Sequence, residues 1–125
     1  MVVMPGIENL MPYELSGGMR KAVALARALA MNPDIVLYDE PNVGLDPITS
    51  GAITDLIIKT QNEFGVTSVV ASHDIPLIER VSTRVALLYE GKIVEEGTTE
   101  EMDASDNPIV RQFMSGSVEG PIVSS

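Results

Sequence analysis

Ile35-Val36-Leu37-Tyr38-Asp39-Glu40-Pro41-Asn42-Val43-Gly44-Leu45-Asp46-Pro47 is the stretch on which the fold turns. Its apolar run lies between Asp34 and Asp39 and reads as a strand buried on both faces, the kind found in parallel sheets. Asp46-Pro47 reads as the start of a helix, with aspartate as cap and proline at the first helical position. That helix takes its apolar stripe from Ile53, Leu56, Ile57 and Phe64 and ends at Gly65. A valine-rich run over 66–71 predicts a second strand, closed by Ser72-His73-Asp74.

Upstream, Pro5-Gly6 and Pro12 break any pattern over 1–14. Ser16 then caps a helix over 16–31, with Met19, Ala22, Val23, Ala26 and Ala30 on one side and Asn32-Pro33 as the stop. Downstream, a short helix is expected over 74–81. Strands over 85–89 and 92–96 follow, joined at Glu90-Gly91 as a hairpin. Thr98 and Glu101 have capping-box spacing, Asn107-Pro108 opens a last helix over about 108–114, and 115–125 reads as an extended tail. Alternating strands and helices predict an α/β fold, a mostly parallel sheet flanked by helices with a C-terminal hairpin and short helices. Reactive groups in such sheets gather beyond the carboxyl ends of the strands.

Composition narrows the chemistry. The 125 residues contain no cysteine, which excludes disulfides, a thiolate metal site and cysteine catalysis, and one histidine excludes a multi-histidine metal centre. Eight Lys and Arg stand against 18 Asp and Glu, a net charge of −10. This argues against a broad surface for nucleic acid or anionic membrane. No apolar run approaches the ~20 residues of a membrane span, and the start lacks a signal peptide's basic region. A cytoplasmic location is the expectation.

Three constellations carry chemistry. Leu15-Ser16-Gly17-Gly18-Met19 opens a helix whose free N–H groups and positive dipole end favour an anion. Arg20 and Lys21 follow in the first turn, where the dipole disfavours cations and an anion would explain them. Taken alone, the run also reads as a plain serine cap. Asp39-Glu40 places two adjacent carboxylates at a strand end, a pair that Mg²⁺ would offset, with Glu40 free to orient or deprotonate a water. The same pair also reads as solvated acids. His73 stands at the other strand end, either as a donor to a phosphate oxygen or as a structural histidine. A Ser-His-Asp relay is excluded, because consecutive strand residues point in alternate directions.

In this order and spacing the motifs resemble the nucleotide-binding domain of ABC transporters. Leu15–Met19 is similar to the signature motif, with Met19 where glutamine is usual; Ile35–Glu40 is similar to Walker B, Val43–Asp46 to the D-loop and His73 to the switch histidine. Pro12–Lys21, Asp39–Thr49 and Asn107–Met114 further resemble the Mla-type ATPases, which pair with MCE-domain proteins and move phospholipid. The resemblance implies the second half of a P-loop NTPase domain over 1–114, with a tail over 115–125. It also implies ATP and Mg²⁺ as cofactors, Glu40 and His73 as catalytic residues and Asp39 as the Mg²⁺ contact through water. Leu15, Ser16, Gly17, Gly18, Met19 and Asp46 become nucleotide-binding residues. Implied partners are a second ATPase subunit in a head-to-tail dimer, a transmembrane permease and an MCE-domain protein, with no nucleic acid. The implied place is the inner face of the cell membrane, reached through the permease.

The phosphate-cradling G-x-x-x-x-G-K-[ST] loop does not occur in the 125 residues. Gly91-Lys92 is the one Gly-Lys pair, and it lies in the expected hairpin with Ala86 where the first glycine belongs. The chain is therefore expected to be a fragment, inactive by itself. A non-catalytic interaction module, or an ATPase serving another cargo, are the alternatives.

Overall fold

The computed structural model describes residues 17–123. The elements run α1 (Gly17–Leu29), β1 (Ile35–Asp39), α2 (Pro47–Phe64), β2 (Thr67–Ala71), α3 (Ile75–Val81), β3 (Val85–Tyr89), β4 (Lys92–Gly97), α4 (Thr99–Asp103) and α5 (Pro108–Ser115). The chain divides into two compact units between Leu77 and Ile78. No described helix is long and apolar enough to cross a membrane.

In the first unit β1 and β2 pair in parallel, from Ile35 opposite Thr67 to Asp39 opposite Ala71. Helix α2 is the crossover that parallel pairing requires. Its start follows from the sequence: Asp46 accepts the N–H groups of Ile48 and Thr49, and Pro47 occupies a position whose own N–H would have no partner. Gly65 ends the helix at φ 63°, a left-handed conformation that costs glycine little. Ile53 and Ile57 are buried on α2, together with Thr54 and Thr60. Each such apolar side chain contributes roughly 1.5–3 kcal/mol through burial.

Three expectations are corrected in this unit. The β1 strand is covered on one face only: Val36 is 5% exposed, whereas Ile35 and Leu37 are 58% and 75% exposed. Val36 lines a groove of about 240 Å³ flanked by α1 and α2, and alternation leaves Ile35, Leu37 and Val69 exposed. On α1 the buried residues are Gly18, Ala22 and Leu25, so of the expected stripe Ala22 is buried, whereas Met19, Val23 and Ala26 are half-buried and Ala30 is exposed. Both sets fit helical spacing, and packing against α2 selects one. Phe64, expected in the α2 stripe, is 43% exposed because it sits in the last turn.

In the second unit β3 and β4 form an antiparallel sheet of their own. Glu90 and Gly91, at φ 49° and 78°, supply the two left-handed residues of a type I′ turn, whose twist matches that of the strands. A bulge between Leu87 and Leu88 leaves Val94 as the extra residue on β4, and Val94 packs against the core of Leu87, Met102 and Val110. Thr98 caps α4 by accepting the Glu101 N–H, and Asn107 caps α5 through Ile109. The parallel part of the α/β fold is thus β1–β2, and the hairpin and short helices follow as expected.

Residues 117–122 depart from the extended tail. The buried Gln112 amide donates to the carbonyls of Ser117 (3.3 Å) and Ile122 (2.9 Å), and its oxygen accepts the Ile122 N–H at 2.6 Å. One side chain thereby satisfies the backbone of a segment ten residues on.

Candidate active site

The parallel register puts the carboxyl ends of β1 and β2 side by side. The Glu40 N–H donates to the Ala71 carbonyl at 2.8 Å, extending the ladder one residue past Asp39. Glu40 itself adopts φ 47°, an uncommon conformation for a residue with a side chain that costs on the order of 1 kcal/mol. Its carbonyl turns back to accept the Val43 N–H at 3.3 Å and the Lys21 Nζ at 3.3 Å.

The Glu40 carboxylate meets the end of β2. Oε2 accepts from the Ser72 hydroxyl at 3.2 Å, and Oε1 lies 2.5 Å from His73 Nδ1. The hydrogen bond from His73 is the main reason the Glu40 carboxyl is held below the usual carboxylate range. Ser72 helps, and partial desolvation opposes both. An ionised Glu40 is an acceptor that can orient a water. The His73 side chain is 85% exposed, so its ring is open to an incoming ligand. Ser72 also accepts the Asp74 N–H, and Asp74 accepts from Leu77 N at the start of α3. His73 Nδ1 thus faces Glu40, while Ser72 and Asp74 are joined through the Asp74 N–H. Asp39, exposed at the end of β1, lies outside this hydrogen-bond set. No group of three or more metal-ligating side chains gathers among the described residues. A single carboxylate suits Mg²⁺, which keeps several waters and takes one or two protein carboxylates beside phosphate oxygens.

A second cluster forms where α1 meets α2. Asp46 Oδ1 accepts from Ile48 N and Thr49 N, and Oδ2 accepts the Thr49 hydroxyl at 2.6 Å. These bonds hold the Asp46 carboxyl below its ordinary range, the Thr49 hydroxyl contributing most. Gly18 packs directly on the Thr49 methyl, and Gly17 comes near Leu45 Cδ2. The small size of Gly18 therefore serves helix packing within the chain, a use that phosphate logic did not suggest. Met19 is half-buried on α1. Leu15 and Ser16 lie outside the described residues.

The structure joins Glu40 to His73, two residues that the sequence presents at separate strand ends. Sequence reasoning missed Ser72 and Lys21 as partners of Glu40, and Thr49 as the partner of Gly18 and Asp46. The register carried the signal for Ser72: pairing the two apolar strands end to end puts residue 40 beside residue 72.

Several known proteins are similar to this chain. The family described as ABC transporter matches residues 4–43. The intermembrane phospholipid transport system ATP-binding protein MlaF of Escherichia coli (strain K12) is 45% identical over 117 residues, which make up 94% of this chain and 44% of that protein. The chloroplastic protein TRIGALACTOSYLDIACYLGLYCEROL 3 of Arabidopsis thaliana is 45% identical over 137 aligned positions, 97% of this chain and 40% of that one. Among solved structures, the ATP-binding cassette MJ0796, a dimer in a post-hydrolysis state bound to ADP and Pi, superposes with a TM-score of 0.66 at 38% identity, covering 77% of this chain and 41% of its own. The chain spans somewhat less than half the length of these relatives. By these likenesses the chain is similar to part of the ATP-binding cassette of ABC transporters.

Proposed function

We propose that the chain is the second half of an ATP-hydrolysing domain in an ABC transporter subunit that powers phospholipid movement. One observation carries the catalytic part: Glu40, Ser72 and His73 converge at the carboxyl ends of a parallel strand pair. Glu40, ionised and fixed by two hydrogen bonds, orients and polarises the attacking water. His73 bridges Glu40 to the γ-phosphate from its exposed side. Mg²⁺, held on Asp39 through water, would neutralise charge on the phosphate oxygens. Such hydrolysis rests on positioning and electrostatics, so the geometry of these groups is most of what the chain contributes.

Leu15, Ser16, Gly17, Gly18 and Met19 cover the γ-phosphate bound by a second ATPase subunit in a head-to-tail dimer, with Asp46 at the same seam. The remaining partners are a transmembrane permease and an MCE-domain protein, and the working place is the inner face of the cell membrane. Residues 1–114 form the ATPase portion and 115–125 its tail. The name of the MlaF relative supports the phospholipid cargo, and that of the chloroplast relative contains a galactolipid.

The test is a chimera in which this chain replaces the matching 117 residues of MlaF, so that a phosphate loop is supplied. Glu40→Gln is expected to reduce Mg-ATP turnover by at least about a hundredfold, with nucleotide still bound. Undiminished turnover removes Glu40 from its role. The absence of a G-x-x-x-x-G-K-[ST] loop from the 125 residues supports a second reading, a non-catalytic module that only docks on a partner. Calorimetric binding of Mg-ATP by the isolated chain contradicts that reading.

A further inference from the structure

We propose that Lys21 is a positioning residue for Glu40, tying the helix that follows Gly17-Gly18 to the hydrolytic carboxylate of the same chain; this rests on the role proposed for Glu40. The Glu40 backbone needs an external hold. It leaves β1 at φ 47°, and three hydrogen bonds fix it there: its N–H to Ala71 O, Val43 N to its carbonyl, and Lys21 Nζ to that carbonyl at 3.3 Å. The first two come from the strand partner and the local turn. Lys21 alone reaches in from another helix, 19 residues earlier in sequence.

The position of Lys21 points the same way. It is the fifth residue of α1, just past a first turn that holds no acidic residue to offset a cation near the positive dipole end. The partly buried carbonyl of Glu40 supplies the compensation, in a charge-assisted hydrogen bond. Because Glu40 Oε1 and Oε2 are aimed at His73 and Ser72 by this backbone conformation, loss of the lysine lets the carboxylate swing away from them. A move of α1 is transmitted to Glu40 through the same bond. Helix α1 and the water-orienting carboxylate are one mechanical unit.

The test uses the full 125-residue chain completed with the phosphate-loop portion of MlaF, comparing Lys21→Met, Lys21→Arg and Glu40→Gln. Lys21→Met is expected to lower kcat about tenfold, with the KM for ATP and the melting temperature unchanged. Lys21→Arg, which keeps a charged donor, restores kcat. Lys21→Met added to Glu40→Gln causes no further loss, because both act through one carboxylate. The proposal is overturned if Lys21→Met leaves kcat intact while Glu40→Gln abolishes it. Equal slowing by methionine and arginine overturns it too, as does a fall in melting temperature with kcat of the folded enzyme retained. Undiminished turnover in Glu40→Gln removes the underlying role of Glu40, and this proposal with it.

Discussion

Gly18→Ala tests how α1 is held against α2. A methyl built on Gly18 falls closer than 3.0 Å to the Thr49 methyl, where carbon atoms in contact normally stand about 3.5–4.0 Å apart. Thr49 has little room to yield. It is β-branched, sits in the first turn of α2, and its hydroxyl is committed to Asp46 Oδ2 at 2.6 Å. Overpacking of this kind costs about 1–3 kcal/mol. Against it stands the gain of alanine over glycine in a helix, at most about 1 kcal/mol and less in a first turn. The expected net effect is a loss of about 1–2 kcal/mol, or roughly 4 °C per kcal/mol in melting temperature.

Thr49→Ser removes the offending methyl and keeps the hydroxyl on Asp46. In that background Gly18→Ala should be neutral or stabilising, giving a coupling of about 1–3 kcal/mol across the cycle. Gly51, inside α2 with nothing within 4 Å of where an alanine methyl would stand, is the control, and Gly51→Ala should stabilise by about 0.5–1 kcal/mol. The assay is equilibrium urea unfolding followed by far-ultraviolet circular dichroism, since the chain has no tryptophan. The reasoning fails if Gly18→Ala is as stable as the parent, or if its penalty is the same with serine at position 49.

The remaining expectations can be checked on the same chain. Asp46 has a folded-state pKa below its unfolded value, so its stabilisation is complete above the usual carboxylate range and is lost as pH falls through the lower folded value. The stability gap between the parent and Asp46→Asn should therefore be flat near neutrality and shrink in acid; a gap that widens in acid contradicts the capping role. Gln112→Ala should raise amide exchange at Ile122 at least about tenfold while α5 stays protected, because the Ile122 N–H loses its acceptor. Unchanged exchange over 117–122 refutes the clasp.

What the sequence disclosed was local. Asp46-Pro47, Thr98 and Asn107-Pro108 announce helix starts because a cap needs only residues two or three positions away. Glu90-Gly91 announces a hairpin because φ and turn type are set within the dipeptide and its flanking strands. Legibility fails where a partner lies far along the chain. Ile35 and Leu37 are apolar enough for a core, but hydrophobicity states a preference for burial without naming a cover. Gly18 suggests close approach, and only the fold reveals Thr49 as what approaches. The Gln112 clasp joins residues ten apart with no periodic pattern to betray it. At the site, Asp39, Glu40 and His73 are legible as strand-end chemistry. Lys21 reads in the sequence as a cation awaiting an anion, whereas its partner in the structure is a carbonyl.

The pairing of β1 with β2 also has an entropic side. Ile35 meets Thr67 across 32 residues of chain, whereas the hairpin joins residues between 3 and 12 apart, from Tyr89–Lys92 to Val85–Gly97. Closing the longer loop from a disordered chain costs about 1–2 kcal/mol more. Helix α2 removes most of that freedom by converting the intervening chain into a rod that returns β2 to the correct end of β1. The juxtaposition of Glu40 and His73 is accordingly only as durable as α2: each turn that frays lengthens the floppy tether between them and lowers their effective concentration for one another.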